Sequence, residues 1–144
     1  METSLTTIST LQDVKVNIKI KLAGMWIVVM FCYIYGDIFS LFVPSRLKGL
    51  LAGESGVGAT TPGKLVMFTT VVLIPALMVL LSLLLKASVN KWLNIVVGAL
   101  YTGIMILTVL SSLAPWWVFY TILGVVEILL TITIIITAFR WPKA

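Results

Sequence analysis

Apolar runs of about twenty residues alternate along this chain with short polar breaks. Four such stretches can be marked, at approximately 22–43, 65–85, 92–113 and 118–139. Each is long enough to cross a hydrocarbon core of about 30 Å at about 1.5 Å of rise per residue. The pattern predicts an all-α fold with one domain over residues 1–144, a transmembrane four-helix bundle. The second and third connections are short, so consecutive helices should run antiparallel in an up-down-up-down order that also brings the first and fourth together.

The segments between the runs carry their own signals. Residues 14–21 alternate apolar and polar, which is a strand pattern, but a lone strand has no partner for its edge. The favoured reading is a helix that begins near Asp13 and climbs into the first span, with lysine heads snorkelling to the interface. The first loop, Pro44–Gly63, is long and rich in glycine. It opens on a proline followed by leucines at spacings of three and four, which suits a short helix lying on the outer surface. Pro75 removes a backbone donor at the centre of the second span, so a kink is expected there, either a hinge or a fixed bend.

Composition agrees with a bilayer location. Hydrophobic residues make up 60% of the 144 and charged residues 10%, against about a quarter charged in soluble domains, and no stretch remains for a soluble domain. The net charge of +5 is distributed by topology. Lys15, Lys19, Lys21, Lys86, Lys91, Arg140 and Lys143 fall on one side of the four spans, and Arg46, Lys48 and Lys64 on the other. Seven against three places both termini in the cytoplasm, and the expected location is a bacterial inner (plasma) membrane. Trp26, Trp92 and Trp141 near the cytoplasmic ends, and Trp116, Trp117 and Tyr120 near an outer end, match an aromatic belt. The first span follows lysines but has no small-x-small cleavage site, so it is read as a retained helix and not a signal peptide.

Several chemistries are excluded. With no basic stripe interleaved with exposed aromatics, nucleic acid is not an expected partner. Cys32 is the only cysteine and there is no histidine, which removes the dithiol redox pair and the common haem and zinc ligands. No cofactor and no metal are expected, and an enzyme acting on a lipid or quinone would lack the usual residues. The segment Gly58–Lys64 fits the first seven positions of a phosphate-binding loop. Leu65 stands where Ser or Thr should hold magnesium and no strand precedes it, so nucleotide is rejected as well.

Two carboxylates inside the apolar runs are the candidate chemistry. Asp37 lies in the first run and Glu127 in the fourth. An acid at the centre of a spanning helix costs roughly 2.5–3.5 kcal/mol on insertion scales, which makes it a functional-site hypothesis. From the run boundaries Asp37 should lie roughly 9 Å deep and Glu127 roughly 15 Å deep, so the two could share a cavity. Polar or small stripes accompany them at helical spacing: Tyr33, Asp37 and Ser40; Asn94, Gly98, Tyr101, Met105, Thr108 and Ser112; Tyr120, Gly124, Glu127 and Thr131. Such stripes turn inward in membrane bundles. No lysine or arginine is expected at the depth of either acid, so at least one should carry its proton near neutral pH. Tyr33, Tyr35, Tyr101, Tyr120, Asn94 and Thr131 are the expected lining of the cavity.

At Phe31-Cys32-Tyr33-Ile34-Tyr35-Gly36-Asp37, at Asn90-Lys91-Trp92-Leu93-Asn94-Ile95 and at Pro115-Trp116-Trp117-Val118-Phe119-Tyr120 the chain resembles a bacterial family of small four-span membrane proteins of unknown function. Thr61-Pro62-Gly63-Lys64, Ile74-Pro75 and Glu127 extend the resemblance over nearly the whole length. The resemblance implies four spans and no activity. The residues leave two functions open. One is a proton-linked or cation-linked transporter or ion-conducting bundle, with Asp37 and Glu127 as titrating sites. The other is a non-enzymatic accessory or scaffold subunit that binds a partner protein or lipid, the two acids then merely holding helices together. Four helices enclose little space, so a sizeable substrate path would need a homodimer, for which Ala99 and Gly103 are a candidate contact.

Overall fold

The computed structural model describes residues 13–142. They form α1 (Ile18–Ser40), α2 (Pro44–Leu51), α3 (Pro62–Leu84), α4 (Ala87–Ser111), a short 3-10 turn (Pro115–Trp117) and α5 (Val118–Phe139). Among the described residues there is no strand, only an isolated bridge between Glu54 and Ala59. Helices α1, α3, α4 and α5 are each long and apolar enough to cross a membrane. Their outward faces carry exposed Leu, Ile, Val and Phe, the surface that acyl chains cover.

Local chemistry sets the helix ends. α1 does not start near Asp13: residues 13–17 are not helical, and the side chain of Asn17 accepts a hydrogen bond from the Lys19 backbone N–H at 2.9 Å. That cap satisfies a free donor of the first turn and fixes the start at Ile18. The helix stops before Pro44 because the residue preceding a proline is pushed out of the helical region, and Val43 is extended. Thr61 caps α3 through its hydroxyl, with Pro62 in the first turn, where a missing N–H costs nothing. At the far end of α3, Lys19 Nζ donates to the carbonyls of Leu85 (2.7 Å) and Leu83 (3.3 Å), and Asn90 Nδ2 donates to that of Ser82 (2.6 Å). Instead of snorkelling freely, Lys19 thus places its charge at the negative end of the α3 dipole.

Contacts between helices fix the topology. The start of α1 meets the end of α3, Gly36 near the end of α1 meets Tyr120 and Leu123 near the start of α5, and Thr102 of α4 meets Thr131 of α5. Trp26 and Tyr33 of α1 bond Asn94 and Met105 of α4 in the same order along both helices, so α1 and α4 are parallel and the bundle runs up-down-up-down. α4 packs most extensively on α5, and α3 touches α4 only sparsely.

Packing is uneven along the bundle axis. The fully buried Leu22, Trp26, Val29, Met78, Ile134 and Ala138 lie in the half that holds the termini, where they form a closed core with Tyr101. Trp26 is therefore core and not a belt anchor. Its ring meets Tyr101 edge-on at 6.1 Å, and its Nε1 donates to Asn94 Oδ1 at 2.8 Å. The opposite half, which carries α2, opens into a cavity.

Candidate functional site

The cavity lies among the ends of α1 and α4, the start of α5, and α2 with its following loop. Its volume is about 430 Å³. Asp37 and Ser40 supply one wall, Thr108, Ser111 and Ser112 a second, and Trp117 and Tyr120 a third. Arg46 of α2 and residues 55–57 close over it.

The loop is shaped to hold Arg46 there. Gly53, Gly56 and Gly58 have φ of +80°, +85° and +86°, a conformation that side chains with a Cβ rarely adopt. These turns bring the Ser55 carbonyl over α2, where it accepts a hydrogen bond from Arg46 Nη1, and a Cβ at Gly56 would collide with the same nitrogen. Ser55 is buried, and its backbone N–H and hydroxyl both donate to the Gly58 carbonyl. Lys64, the lysine of the phosphate-loop look-alike, donates to the Val57 carbonyl and ties down the same loop.

Asp37 sits three residues before the end of α1, about 4.5 Å of helical rise, so it is shallower than the apolar run suggests. Its side chain is open to the cavity, which it shares with Arg46, a cation within electrostatic reach. The expectation that neither acid would have a positive neighbour therefore does not hold for Asp37. Arg46 is the residue that sequence reasoning missed. In the sequence its charge counts only toward topology, although its place two residues after a helix-opening proline puts it beside the end of α1.

Glu127 lies nine residues into α5, about 13.5 Å of rise, and is thus about 9 Å deeper than Asp37. It is 2% exposed, and Oε2 has no hydrogen-bond partner. Asp37, Cys32 and Tyr33 of α1 and Tyr120 of α5 are near enough to interact with its charge. The arrangement is a polar vestibule with one acid at the wall and a second acid sealed beneath it.

The expected lining residues separate into three groups. Tyr120 lines the cavity. Tyr33 is half-buried between the acids' level and α4, its hydroxyl 3.5 Å from Met105 Sδ. Thr131 is buried one turn below Glu127, donating to the Glu127 backbone carbonyl (3.0 Å) and meeting Thr102 (2.8 Å), so it holds α5 to α4 and leaves the carboxyl alone. Tyr101 and Asn94 belong to the closed half. The Tyr101 hydroxyl donates to the Val71 carbonyl at 2.6 Å, and Asn94 joins Trp26, Asn90 and Ser82 in a buried amide cluster. Tyr35 is a correction: it is half-exposed on the outer surface, between Phe31 and Phe39. A two-residue step turns a helix by about 200°, so Tyr35 points away from the face that Tyr33 and Asp37 share.

Among the described residues no cluster of three or more His, Cys, Asp or Glu could hold a metal ion. No curated protein and no solved structure matches the chain. A family model, described as a family of unknown function (DUF6326), matches residues 11–144. That match takes in every helix of the bundle and both acids, and the protein belongs to this family.

Proposed function

We propose that the protein is a small proton-linked or cation-linked carrier, or ion-conducting bundle, whose titrating groups are Asp37 and Glu127. The observation that carries this reading is Glu127: a carboxyl almost fully buried, with one oxygen unbonded, beneath an open polar cavity that holds a second acid. Burying an ionised carboxylate without a hydrogen-bonded partner costs several kcal/mol. Purely structural acids avoid this by bonding across the bundle, whereas an acid that exchanges a proton for a cation needs a free oxygen. In this proposal the termini face the cytoplasm of a bacterial cell, so the cavity opens outward, and the closed half is the barrier that a conformational change or a second copy must breach. Ala99 and Gly103 are both exposed on α4, which suits the pair as the contact surface of a homodimer.

The test uses the purified chain in proteoliposomes carrying an internal pH-sensitive dye, under a sodium or potassium gradient. Cation-driven proton movement is expected in the unaltered protein and loss of at least ten-fold in Glu127→Gln, with Asp37→Asn also impaired. Equal rates in both variants and the unaltered chain would overturn the proposal.

A second reading, a scaffold subunit, draws support from α3, the least buried of the four spans, whose contact with α4 is sparse. It predicts that both neutral variants behave as the unaltered protein does, while changes on the outward face of α3 release a co-purifying membrane protein.

A further inference from the structure

The cavity carries one charge of each sign, and three of its hydroxyls are already committed as donors. The hydroxyls of Ser40 and Ser111 and that of Thr108 donate to the carbonyls of Asp37 (2.7 Å), Thr108 (2.8 Å) and Ile104 (2.9 Å). Each hydroxyl has a single hydrogen, so these groups turn lone pairs outward and act as acceptors. With the Asp37 carboxylate and the aromatic ring of Tyr120, which line the same cavity, they suit an ammonium group, which brings only donors and a charge that aromatic faces attract. Arg46 is the opposite case. Ser55 occupies Nη1, which holds the guanidinium in place and leaves its remaining donors for an anion, for which the planar fork is shaped. A cation alone leaves Arg46 unmatched, and an anion alone leaves Asp37 unmatched. A molecule with both charges satisfies both residues, and the volume falls within the roughly 300–1,000 Å³ of small-molecule sites.

We infer that the cavity is a binding site for a zwitterion, a phosphate or carboxylate joined through a short linker to an ammonium, with Arg46 taking the anion and Asp37 the ammonium. The inference names a substrate class for the carrier proposed above and rests on that reading only for the steps after binding. The same chemistry is offered by a free solute and by the headgroup of a zwitterionic phospholipid, since the cavity lies at the end of the spans where headgroups reside.

Calorimetric titration of the chain in nanodiscs of phosphatidylglycerol, which lacks an ammonium, tests it. The probes are phosphoethanolamine and β-alanine, with inorganic phosphate, propionate and ethanolamine as the separated halves. At least one zwitterion should bind ten-fold or more tightly than either of its halves. Arg46→Gln should abolish the preference over ethanolamine, and Asp37→Asn the preference over the anion. Arg46→Lys, which keeps the charge, should retain the zwitterion preference and shows that the loop has not simply come apart. Repeating the titration with phosphatidylethanolamine in the disc separates the sources: loss of soluble-probe binding identifies the lipid headgroup, and unchanged binding identifies a free solute. Zwitterions that bind no better than their halves, or a preference that survives both neutral substitutions, would overturn the inference. Proton flux that depends on Glu127 without zwitterion binding leaves the carrier reading standing alone, and binding with flux unaffected by Glu127→Gln and Asp37→Asn leaves the site without that reading.

Discussion

Pro75 has no N–H to give the Val71 carbonyl four residues earlier, and the hydroxyl of Tyr101 supplies the missing donor from α4. Interhelical hydrogen bonds in membranes average about 0.6 kcal/mol, but here no backbone donor stands ready to replace the lost one, so Tyr101→Phe should cost about 1–1.5 kcal/mol. Pro75→Ala restores the N–H, and in that background the same substitution should cost under about 0.5 kcal/mol in a double-mutant cycle read by unfolding in mixed micelles. Equal costs in the two backgrounds would break the link between Tyr101 and the proline. Tyr101 was visible in the sequence as an inward residue, yet spacing alone suggested a cavity liner. Its actual partner is a single carbonyl freed 30 residues away, which no pattern on α4 encodes. Tyr35 and Trp26 show the same limit. An aromatic residue near a helix end reads as lining or anchor until the neighbouring helices determine which way it faces.

At the scale of elements, the four spans and the surface helix were legible because apolar run length and proline position are strong local signals. The start of α1 was not, because the Asn17 cap decides where the helix begins and the alternation over residues 14–21 masks it. The stripes of small and polar residues did turn inward, and their glycines set how closely α4 and α5 approach. A Cβ at Gly124 would lie 2.5 Å from Val109 Cγ2, and one at Gly98 would lie 2.9 Å from Ile135 Cγ1. Gly124→Ala must push the helices apart or twist Val109, whose branched side chain has few other rotamers on a helix. A loss of about 1–3 kcal/mol is expected, as for other overpacked cores. Val109→Ala makes room for the added methyl and should recover at least half of it. No recovery would mean that the cost arises elsewhere than at this contact.

For the whole molecule, the division into a closed half and an open half makes orientation decisive, because it determines which solution the cavity samples. Sequence could state the bias of basic residues but could not reveal that the open half is the one carrying α2, since this depends on Arg46 and the glycine turns of the loop. The positive-inside rule counts basic residues close to the spans, and among the described residues six of the nine lie at the terminal end. One of them, Lys19, also caps α3, so a charge counted by that rule also stabilises the bundle. Single cysteines test the consequence in a Cys32→Ser background. Val57→Cys lies in the exposed loop at the cavity end, and Lys86→Cys in the exposed turn at the other. In intact cells an impermeant maleimide should label the first strongly and the second only after the membrane is opened. The reverse result would turn the cavity toward the cytoplasm. Uptake from outside would then have to begin through the packed core around Trp26 and Tyr101, and a carrier loading through Asp37 would be an exporter.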